Sequence, residues 1–333
     1  MHRPARRPRF GPAPGAGARS VILVGMELRS LEYFVAVAEE LSFTRAAQRC
    51  FVTQPTISGQ VQALEREVGE ALFDRAPRGI VLTEGGRTLL PYARRCLRAV
   101  EDAKAEFSAR AGLLRGALHL GTGGGVEHTT LPALLGRLRH RFPGIDVHVT
   151  EATSAPLLEM VLQGRLNAAV IARPAEPLPA SISASTMFTD RLVAVFDPAA
   201  FDPAAFGLAA DPVPLAALAD HPLITYPPTS ALRSRLEEVA AELGVNLAAN
   251  YVANDVRLQL AFAREGVGVA VSAGSDPALT EVMGLAVRPI SPPVAFEKVL
   301  IWRHDMVPCA PLRAFLQLWW EFRARDAEAE KTA

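Results

Sequence analysis

Amide and hydroxyl side chains recur along one face of the stretch between Thr53 and Val68. If the stretch is a helix, this polar face carries Pro55, Ser58, Gly59, Gln62 and Arg66. Gln54 and Thr56 lie at the N-terminal end of the same face. The face is nearly uncharged, and amides and hydroxyls match the donors and acceptors that base edges present in the major groove of DNA. A solvated amphipathic helix is the commoner meaning of such a face, so the local pattern alone leaves both interpretations open.

The opposite face of the same stretch is apolar and predicts a helix packed on a core. Its members are spaced i, i+4, i+7 and i+11, and they are Ile57, Val61, Leu64 and Val68. Thr53 is placed as the N-cap of this helix, and Pro55 falls in its first turn, where a missing N–H costs nothing.

Two further helices are predicted before this one. Residues 31–41 follow helical spacing, and Ser42 can cap a helix that begins at Phe43. Ala46 and Ala47 are small enough to let the next helix approach closely, and residues 50–52 form the break between the two. A short helix, a tight break and a second helix are typical of a helix-turn-helix, which places the N-terminal end of its second helix in the major groove.

A hairpin is predicted after these helices, with strands at 72–75 and 80–83 around a Pro-Arg-Gly turn. Residues 26–83 hold six arginines against eight acidic residues, so this region is not basic. Phosphate contacts need local rather than net charge, and we assign them to Thr44, Arg45, Arg75 and Arg78. We expect modest DNA affinity for each copy of the domain.

A long helix follows, capped by Thr83 and running to about Leu114. Its apolar residues are spaced alternately four and three apart, and they are Leu89, Ala93, Cys96, Val100, Ala103 and Phe107. This heptad seam favours pairing with a second copy of the helix. The alternative to pairing is that this apolar stripe packs against a domain of the same chain.

Residues 26–98 resemble the N-terminal domain of LysR-type transcriptional regulators without a gap. The matching segments are MELRSLEYFVAVAEELSFTRAAQRCFVTQPTISGQVQALEREVGEALFDR and LTEGGRTLLPYA. The resemblance implies a bacterial regulator with a winged helix-turn-helix, a dimerising linker helix and an effector domain of the periplasmic-binding-protein type. It also implies double-stranded promoter DNA and a small-molecule effector as partners, a homodimer that doubles to a homotetramer, and RNA polymerase as a further candidate partner.

Strands and helices alternate after Gly116 in a βαβαβ pattern, which predicts a parallel sheet with helices on its faces. Ligands of such sheets bind at the carboxyl ends of the strands. The run Gly121–Gly125 stands at one such end, and it does not fit the dinucleotide pattern because Val126 takes the last glycine's place. Its free N–H groups suit an anion, so we assign Thr122, Gly123, Gly124 and Ser154 to effector binding, although Ser154 could serve as a plain N-cap.

A second α/β unit is predicted from Pro222 to Ser272, whereas order weakens between Ala172 and Ala219, where DPAAF occurs twice in tandem. From this unit we assign Thr225, Thr229, Ser230 and Gly268 to effector binding. Helix N-termini around the cleft favour an anionic effector.

These predictions make the protein an α/β chain with a DNA-binding N-terminus, divided as follows. Residues 1–25 are either a basic arm or sequence upstream of a start at Met26, which we favour; 26–83 are the winged helix-turn-helix; 84–116 are the linker helix and hinge; 117–325 are the effector domain; 326–333 are a tail. Subdomain I takes about 117–190 and 273–325, and subdomain II about 191–272.

The remaining chemistry argues against other classes of protein. The scattered histidines and three cysteines suggest no metal site, cofactor or catalytic group, and no apolar run is long enough to cross a membrane. Gly59 is shared with the peroxide-sensing branch of the family, but only Cys309 lies in the effector domain, so we do not expect a disulfide switch. The alternative is a solute-binding protein, but the chain shows no export signal, so we expect a cytoplasmic location.

Overall fold

The computed structural model describes residues 26–76, 79–110, 113–126, 129–201, 203–204, 207–281 and 283–332, without the side chains of 75–76, 281 and 326–332. The predictions for residues 1–25, for Arg78 and for Gly112 lie outside this range. The chain divides into two units, residues 1–90 and 91–333, and each is described by itself.

The first unit contains three helices and a hairpin, as the sequence predicts. The elements are α1 (Leu28–Glu40), α2 (Phe43–Arg49), α3 (Gln54–Val68), β1 (Phe73–Ala76) and β2 (Gly79–Leu82). The Ser42 hydroxyl accepts a hydrogen bond from the Arg45 backbone N–H at 3.3 Å, which caps α2. Phe51 adopts a left-handed conformation (φ 54°) in the tight break before α3.

The buried face of α3 is shorter than the sequence predicts. Ile57, Val61 and Leu64 are at most 1% exposed, and Ile57 and Val61 pack on α1 and α2, but Val68 is 36% exposed. The prediction for Val68 is wrong because α3 ends at this residue. Gly69 then turns the chain away in a left-handed conformation (φ 81°).

The long helix α4 (Glu84–Arg110) starts where predicted. The Thr83 hydroxyl accepts a hydrogen bond from the Gly86 N–H at 3.0 Å, as its predicted cap role requires. Gly86 also allows a close approach, because a Cβ at this position would lie 2.2 Å from the Leu72 carbonyl oxygen. The first turn of α4 is thereby held against the segment that leads into the hairpin.

The second unit continues from the C-terminal part of α4 into an α/β fold. Its first elements are β3 (Gly116–Thr122), α5 (Thr130–Arg141), β4 (Ile145–Glu151), α6 (Ser154–Leu162), β5 (Ala168–Ala172), β6 (Ile182–Phe196) and β7 (Val213–Pro214). Next come β8 (Leu223–Thr225), α7 (Ala231–Glu242), β9 (Ala249–Val252), α8 (Val256–Arg264) and β10 (Val269–Ala273). The last elements are β11 (Ala286–Ser291), β12 (Ala295–Arg303) and α9 (Ala310–Thr332).

The predicted βαβαβ unit is confirmed, because β3 pairs in parallel with both β4 and β5. The sheet then runs β4-β3-β5-β12-β6-β10-β8-β9, with β11 also paired to β6. Strand β6 is central to this order: residues 182–191 pair with β12, and residues 192–195 pair with β10. It therefore crosses from subdomain I to subdomain II.

The sequence analysis missed β6, and the expectation of weak order between Ala172 and Ala219 is wrong for this part. The first half of the strand, ISASTMFTD, is rich in small polar residues and does not alternate cleanly between buried and exposed. Strand identity here comes from its antiparallel pairing with β12, which lies more than 100 residues away in sequence.

The predicted boundary of subdomain I at residue 273 is also wrong. Strand β11 pairs with the second half of β6, and Ile290, Val294 and Phe296 belong to the hydrophobic core of subdomain II. The chain returns to subdomain I only along β12. Helix α9 buries Phe315 and Trp319 in that subdomain's core and extends to Thr332, into the predicted tail.

No helix in the part of the chain that the structure describes is both long and apolar enough to cross a membrane.

Candidate functional site

The polar face of α3 lies on the surface of the first unit. Gln54, Pro55, Thr56, Gly59 and Gln62 are exposed, and Ser58 is half-buried. The Gln54 side-chain amide donates a hydrogen bond to the Ser58 hydroxyl at 2.9 Å, which orients both groups on one patch. A Cβ added to Gly59 would meet no atom within 4 Å, so the patch is open at its centre.

The other predicted DNA-contacting residues surround this patch unevenly. Thr53 takes the N-cap position, but its hydroxyl bonds to the Thr56 hydroxyl at 2.8 Å rather than to a backbone N–H. Thr44 and Arg45 are exposed on α2, and Arg45 is paired with Glu40 at 3.4 Å. Arg75 lies in β1, and Arg78 lies outside the described residues.

A cavity of about 360 Å³ lies in the second unit between the two subdomains. Its floor is formed by the crossing strands, with Phe296 opposite Asp190 and Lys298 opposite Phe188 in the antiparallel register. One wall holds Gly123–Gly125 and Ala152–Ser154, at the carboxyl ends of β3 and β4. The other wall holds Tyr226, Ser230, Leu232, Asn254, Asp255, Val256, Arg257, Ser275 and Asp276.

Half of the predicted effector residues line this cavity, and half do not. The lining residues are Gly123, Gly124, Ser154 and Ser230, whereas Thr122, Thr225, Thr229 and Gly268 are not among them. Ser154 is not an N-cap, because Thr153 takes that position in α6; the Ser154 hydroxyl accepts a hydrogen bond from the Ala172 N–H at 3.2 Å and so joins α6 to β5.

The four predicted residues that do not line the cavity lie elsewhere in the fold, where their environments are structural. Thr122 donates to the Gly123 carbonyl oxygen at 3.0 Å, and the Thr225 hydroxyl is fully buried without a hydrogen-bond partner among the described residues. Thr229 accepts a hydrogen bond from Thr153 at 2.8 Å and thereby links the two subdomains. Gly268 is a packing glycine, because a Cβ there would lie 2.3 Å from the Pro222 carbonyl oxygen.

Sequence reasoning missed the charged residues of the cavity. Lys298 is 5% exposed, and its ammonium donates a hydrogen bond to the Gly124 carbonyl oxygen at 2.8 Å. Asp276 is 8% exposed, and one of its carboxylate oxygens accepts from the Ala278 N–H at 3.0 Å. Lys298 had a signal in the sequence, because it is one of three lysines in the chain and directly precedes the apolar run Val299–Trp302.

The cavity therefore carries charge of both signs. Its described lining includes two cations, Arg257 and Lys298, and four carboxylates, Glu151, Asp190, Asp255 and Asp276. The Tyr226 hydroxyl accepts from the Ala273 N–H at 3.0 Å, and its pKa is raised, chiefly by burial, with a contribution from Asp276 and Asp190. This balance does not single out an anion, although helix N-termini do face the cavity.

The part of α4 that belongs to the second unit packs on the effector domain through polar groups. Arg98 donates to the Arg165 carbonyl oxygen at 2.7 Å, and burial raises the pKa of the Asp102 carboxyl. Cys309 lies beside Asp102, and its thiol accepts a hydrogen bond from the Asn167 amide at 3.5 Å. One face of the helix is thus docked within its own chain.

The predicted dimerisation seam is only partly free in the single chain. Cys96 and Phe107 are exposed, Leu89 and Val100 are half-buried, and Ala93 is 1% exposed. Ala93 is therefore already covered within its own chain, whereas the C-terminal half of the seam presents apolar surface.

We expect Cys309 to resist thiol reagents in the folded protein. Burial raises the pKa of its thiol to about 11, with the Asp102 carboxylate adding to the rise, so little thiolate forms at neutral pH. Mass spectrometry after brief alkylation at pH 7.5 should show Cys309 modified more slowly than Cys50, which is half-buried and lies off the predicted dimer seam. Cys309 should react at a comparable rate only in denaturant, and equal rates in the native chain would contradict the burial.

Among the described residues, no three His, Cys, Asp or Glu side chains are grouped closely enough to hold a metal ion.

Comparison with known proteins gives matches over nearly the whole chain. Residues 28–87 match the sequence model of bacterial regulatory helix-turn-helix proteins of the lysR family, and residues 111–322 match that of the LysR substrate binding domain. The HTH-type transcriptional regulator IlvR of Caulobacter vibrioides is 34% identical over 287 residues, which cover 84% of this chain and 93% of that protein.

Other matches are shorter or concern the fold alone. The dual regulator OxyR of Escherichia coli is 37% identical over 147 residues, which cover 44% of this chain and 48% of that protein. The crystal structure of full-length CbnR with its target DNA has a TM-score of 0.61 at 24% identity, and covers 88% of this chain and 98% of that chain.

The matches also decide between the two classes considered from the sequence. A solute-binding protein would account for the α/β cleft but not for the helix-turn-helix match at residues 28–87. The chain therefore belongs to the LysR family of bacterial helix-turn-helix transcriptional regulators.

Proposed function

We propose that this regulator reads promoter DNA with the exposed patch on α3 and is controlled by a small molecule bound in the 360 Å³ cavity. The observation that carries the proposal is the patch itself. It presents amides and hydroxyls, pre-oriented by the Gln54–Ser58 hydrogen bond, at the N-terminal end of the second helix of a helix-turn-helix. We assign base contacts to Gln54, Thr56, Ser58 and Gln62, and no enzymatic activity to the chain.

Phosphate contacts are assigned to Thr44, Arg45, Arg75 and Arg78. Arg45 must leave Glu40 to reach a phosphate, and because both side chains are solvent-exposed this exchange costs little. Residues 26–83 are not basic overall, which supports the expectation that several copies bind together. A homodimer formed through α4, doubling to a tetramer, would read an approximately palindromic site in the bacterial cytoplasm.

The apolar C-terminal half of the α4 seam supports the dimer. Phe107 is 69% exposed in the single chain, and Cys96 and Ala103 are exposed on the same seam. A helix of 27 residues is about 40 Å long, enough to carry a change between its ends. The effector acts by binding one arrangement of the two subdomains more tightly than another, because only a difference in affinity shifts an equilibrium.

Replacing Gln54 by alanine tests the base-reading assignment. We first identify the protein's sites by pulling down genomic DNA with the full chain, and then measure affinity for one selected site and for random DNA. Gln54→Ala should lower the ratio of the two affinities about tenfold, because a bidentate amide–adenine contact is worth about 1–3 kcal/mol. Binding to random DNA should stay unchanged.

The control is Gln163→Ala, the same chemical change on the effector domain, which should leave both affinities unchanged. Arg45→Ala should weaken binding to both DNAs and reduce the salt dependence by about one counterion. An equal loss on selected and random DNA for Gln54→Ala would refute base reading by this residue. Failure of the full chain to enrich any site would count against the proposed function itself.

A further inference from the structure

Two buried side chains of opposite charge face the effector cavity on either side of its glycine run. Lys298 rises from the floor and Asp276 comes from the wall of subdomain II, and both are less than 10% exposed. Each is placed to meet a group of opposite charge on a ligand that enters the cavity.

The glycines place these two charges close together. A Cβ on Gly123 would lie 3.4 Å from the Lys298 ammonium, and a Cβ on Gly125 would lie 3.7 Å from an Asp276 carboxylate oxygen. The two charges thus stand beside residues only two positions apart in the chain. Side chains on these residues would crowd the space between the charges, whereas glycines leave it open to a ligand.

A second carboxylate extends the acidic end. Asp190 lies on the floor, and one of its oxygens accepts hydrogen bonds from the Ser275 N–H at 3.0 Å and the Ser275 hydroxyl at 2.7 Å. Ser275 precedes Asp276, so Asp190 is held near it. The acidic end therefore holds two carboxylates, Asp276 and Asp190.

The basic end is the Lys298 ammonium, which favours a carboxylate. The start of α6 lines the cavity at Ser154 but adds little to this end, because Pro156 has no N–H and the Ala155 N–H donates to the Thr229 carbonyl oxygen at 3.3 Å. The rest of the lining offers apolar surface through Phe188, Phe296, Leu232 and Val256.

A ligand of one charge alone would suit only half of this cavity. A simple anion would face Asp190 and Asp276, and a simple cation would face Lys298. We propose that the effector is a zwitterion with an apolar side group, namely an amino acid, whose carboxylate binds at Lys298 and whose ammonium binds at Asp276 and Asp190. This inference rests on the proposed function of the cavity as the effector site.

Calorimetry on the full chain tests this class with matched probes. The zwitterions are L-leucine and L-phenylalanine. Their analogues without the amine are 4-methylpentanoate and 3-phenylpropanoate, and those without the carboxylate are 3-methylbutylamine and 2-phenylethylamine. At least one amino acid should bind, and each of its singly charged analogues should bind at least tenfold more weakly.

Two variants assign the ends of the ligand. Lys298→Met should weaken the amino acid at least tenfold but leave the amine analogue unaffected. Asp276→Asn, which keeps the oxygen that accepts from Ala278, should weaken the amino acid and spare the carboxylate analogue. The controls are Lys104→Met and Asp146→Asn, which make the same changes at exposed positions and should bind like the wild type.

Each outcome bears on the proposal. Carboxylates that bind as tightly as the amino acids, an equal loss of all ligands in both variants, or no binding by any probe would overturn the zwitterion assignment. The comparison of amino acids with their singly charged analogues uses the wild-type protein alone, so it tests the proposal even if Lys298→Met does not fold. Retained site-specific DNA binding alongside any of these results would show that the regulator function stands and only the ligand class is wrong.

Discussion

Leu64→Ala should make the amide hydrogens of α3 exchange with solvent roughly a hundredfold faster, because the first unit loses about 3 kcal/mol of stability. Leu64 is fully buried, and truncating a buried leucine removes its transfer free energy and leaves a cavity. Hydrogen exchange followed by mass spectrometry measures this segment by segment. Peptides from the second unit should keep their protection, and binding to selected DNA should weaken.

Val68→Ala is the matched control on the same helix face. Val68 is 36% exposed at the end of α3, so its truncation should cost about 1 kcal/mol or less. The sequence alone places both residues on one apolar face and would predict similar costs. Equal effects of the two variants on α3 exchange would contradict the burial described for Leu64.

Lowering the pH from 7.5 to 5 should destabilise the second unit by about 1–2 kcal/mol through His119. Burial, together with the charges of Arg98 and His148, lowers the pKa of this histidine to about 4. The His119 imidazole is protonated near pH 6.5 in the unfolded chain, but only near pH 4 in the folded chain. The stability is therefore complete above pH 6.5 and is lost progressively as the pH falls towards 4.

Urea denaturation of the wild type and of His119→Phe at both pH values measures this effect. Phenylalanine keeps an aromatic ring against His148, whose ring lies 4.8 Å away in a stacked arrangement, and removes the titration. The Asp102 carboxyl, whose pKa burial raises, acts in the opposite direction and is common to both proteins. The difference between the two proteins therefore isolates His119.

The control for this pair is His140→Phe, which replaces an exposed histidine on α5 and should keep the full pH dependence. If His119→Phe lost as much stability at pH 5 as the wild type does, the assignment of the effect to His119 would be wrong.

The DNA-binding unit could be predicted almost completely because its signals are local. The Ser42 cap, the break at Phe51 and the apolar face of α3 each depend on residues within one or two helical turns. The error at Val68 arose at a helix end, where a periodic pattern does not show how far the packing partner extends.

The effector cavity was predicted in its position but only in part in its residues. The loops at the ends of β3 and β4 follow from the βαβαβ pattern, and they do line the cavity. The floor does not follow from any pattern, because β6 was missed and its pairing with β12 joins segments far apart in sequence. Asp190 and Lys298 reach the cavity only through that pairing.

The sequence by itself determined the class of protein, the order of its parts and which face of α3 is polar and exposed. Helical and strand periodicities, caps and turns are decided by neighbouring residues, so they can be read along the chain. Only the tertiary structure decided that Lys298 and Asp276 face one cavity with the glycine run between them. Strand register and subdomain packing bring such groups together, and these depend on contacts between residues more than 100 positions apart.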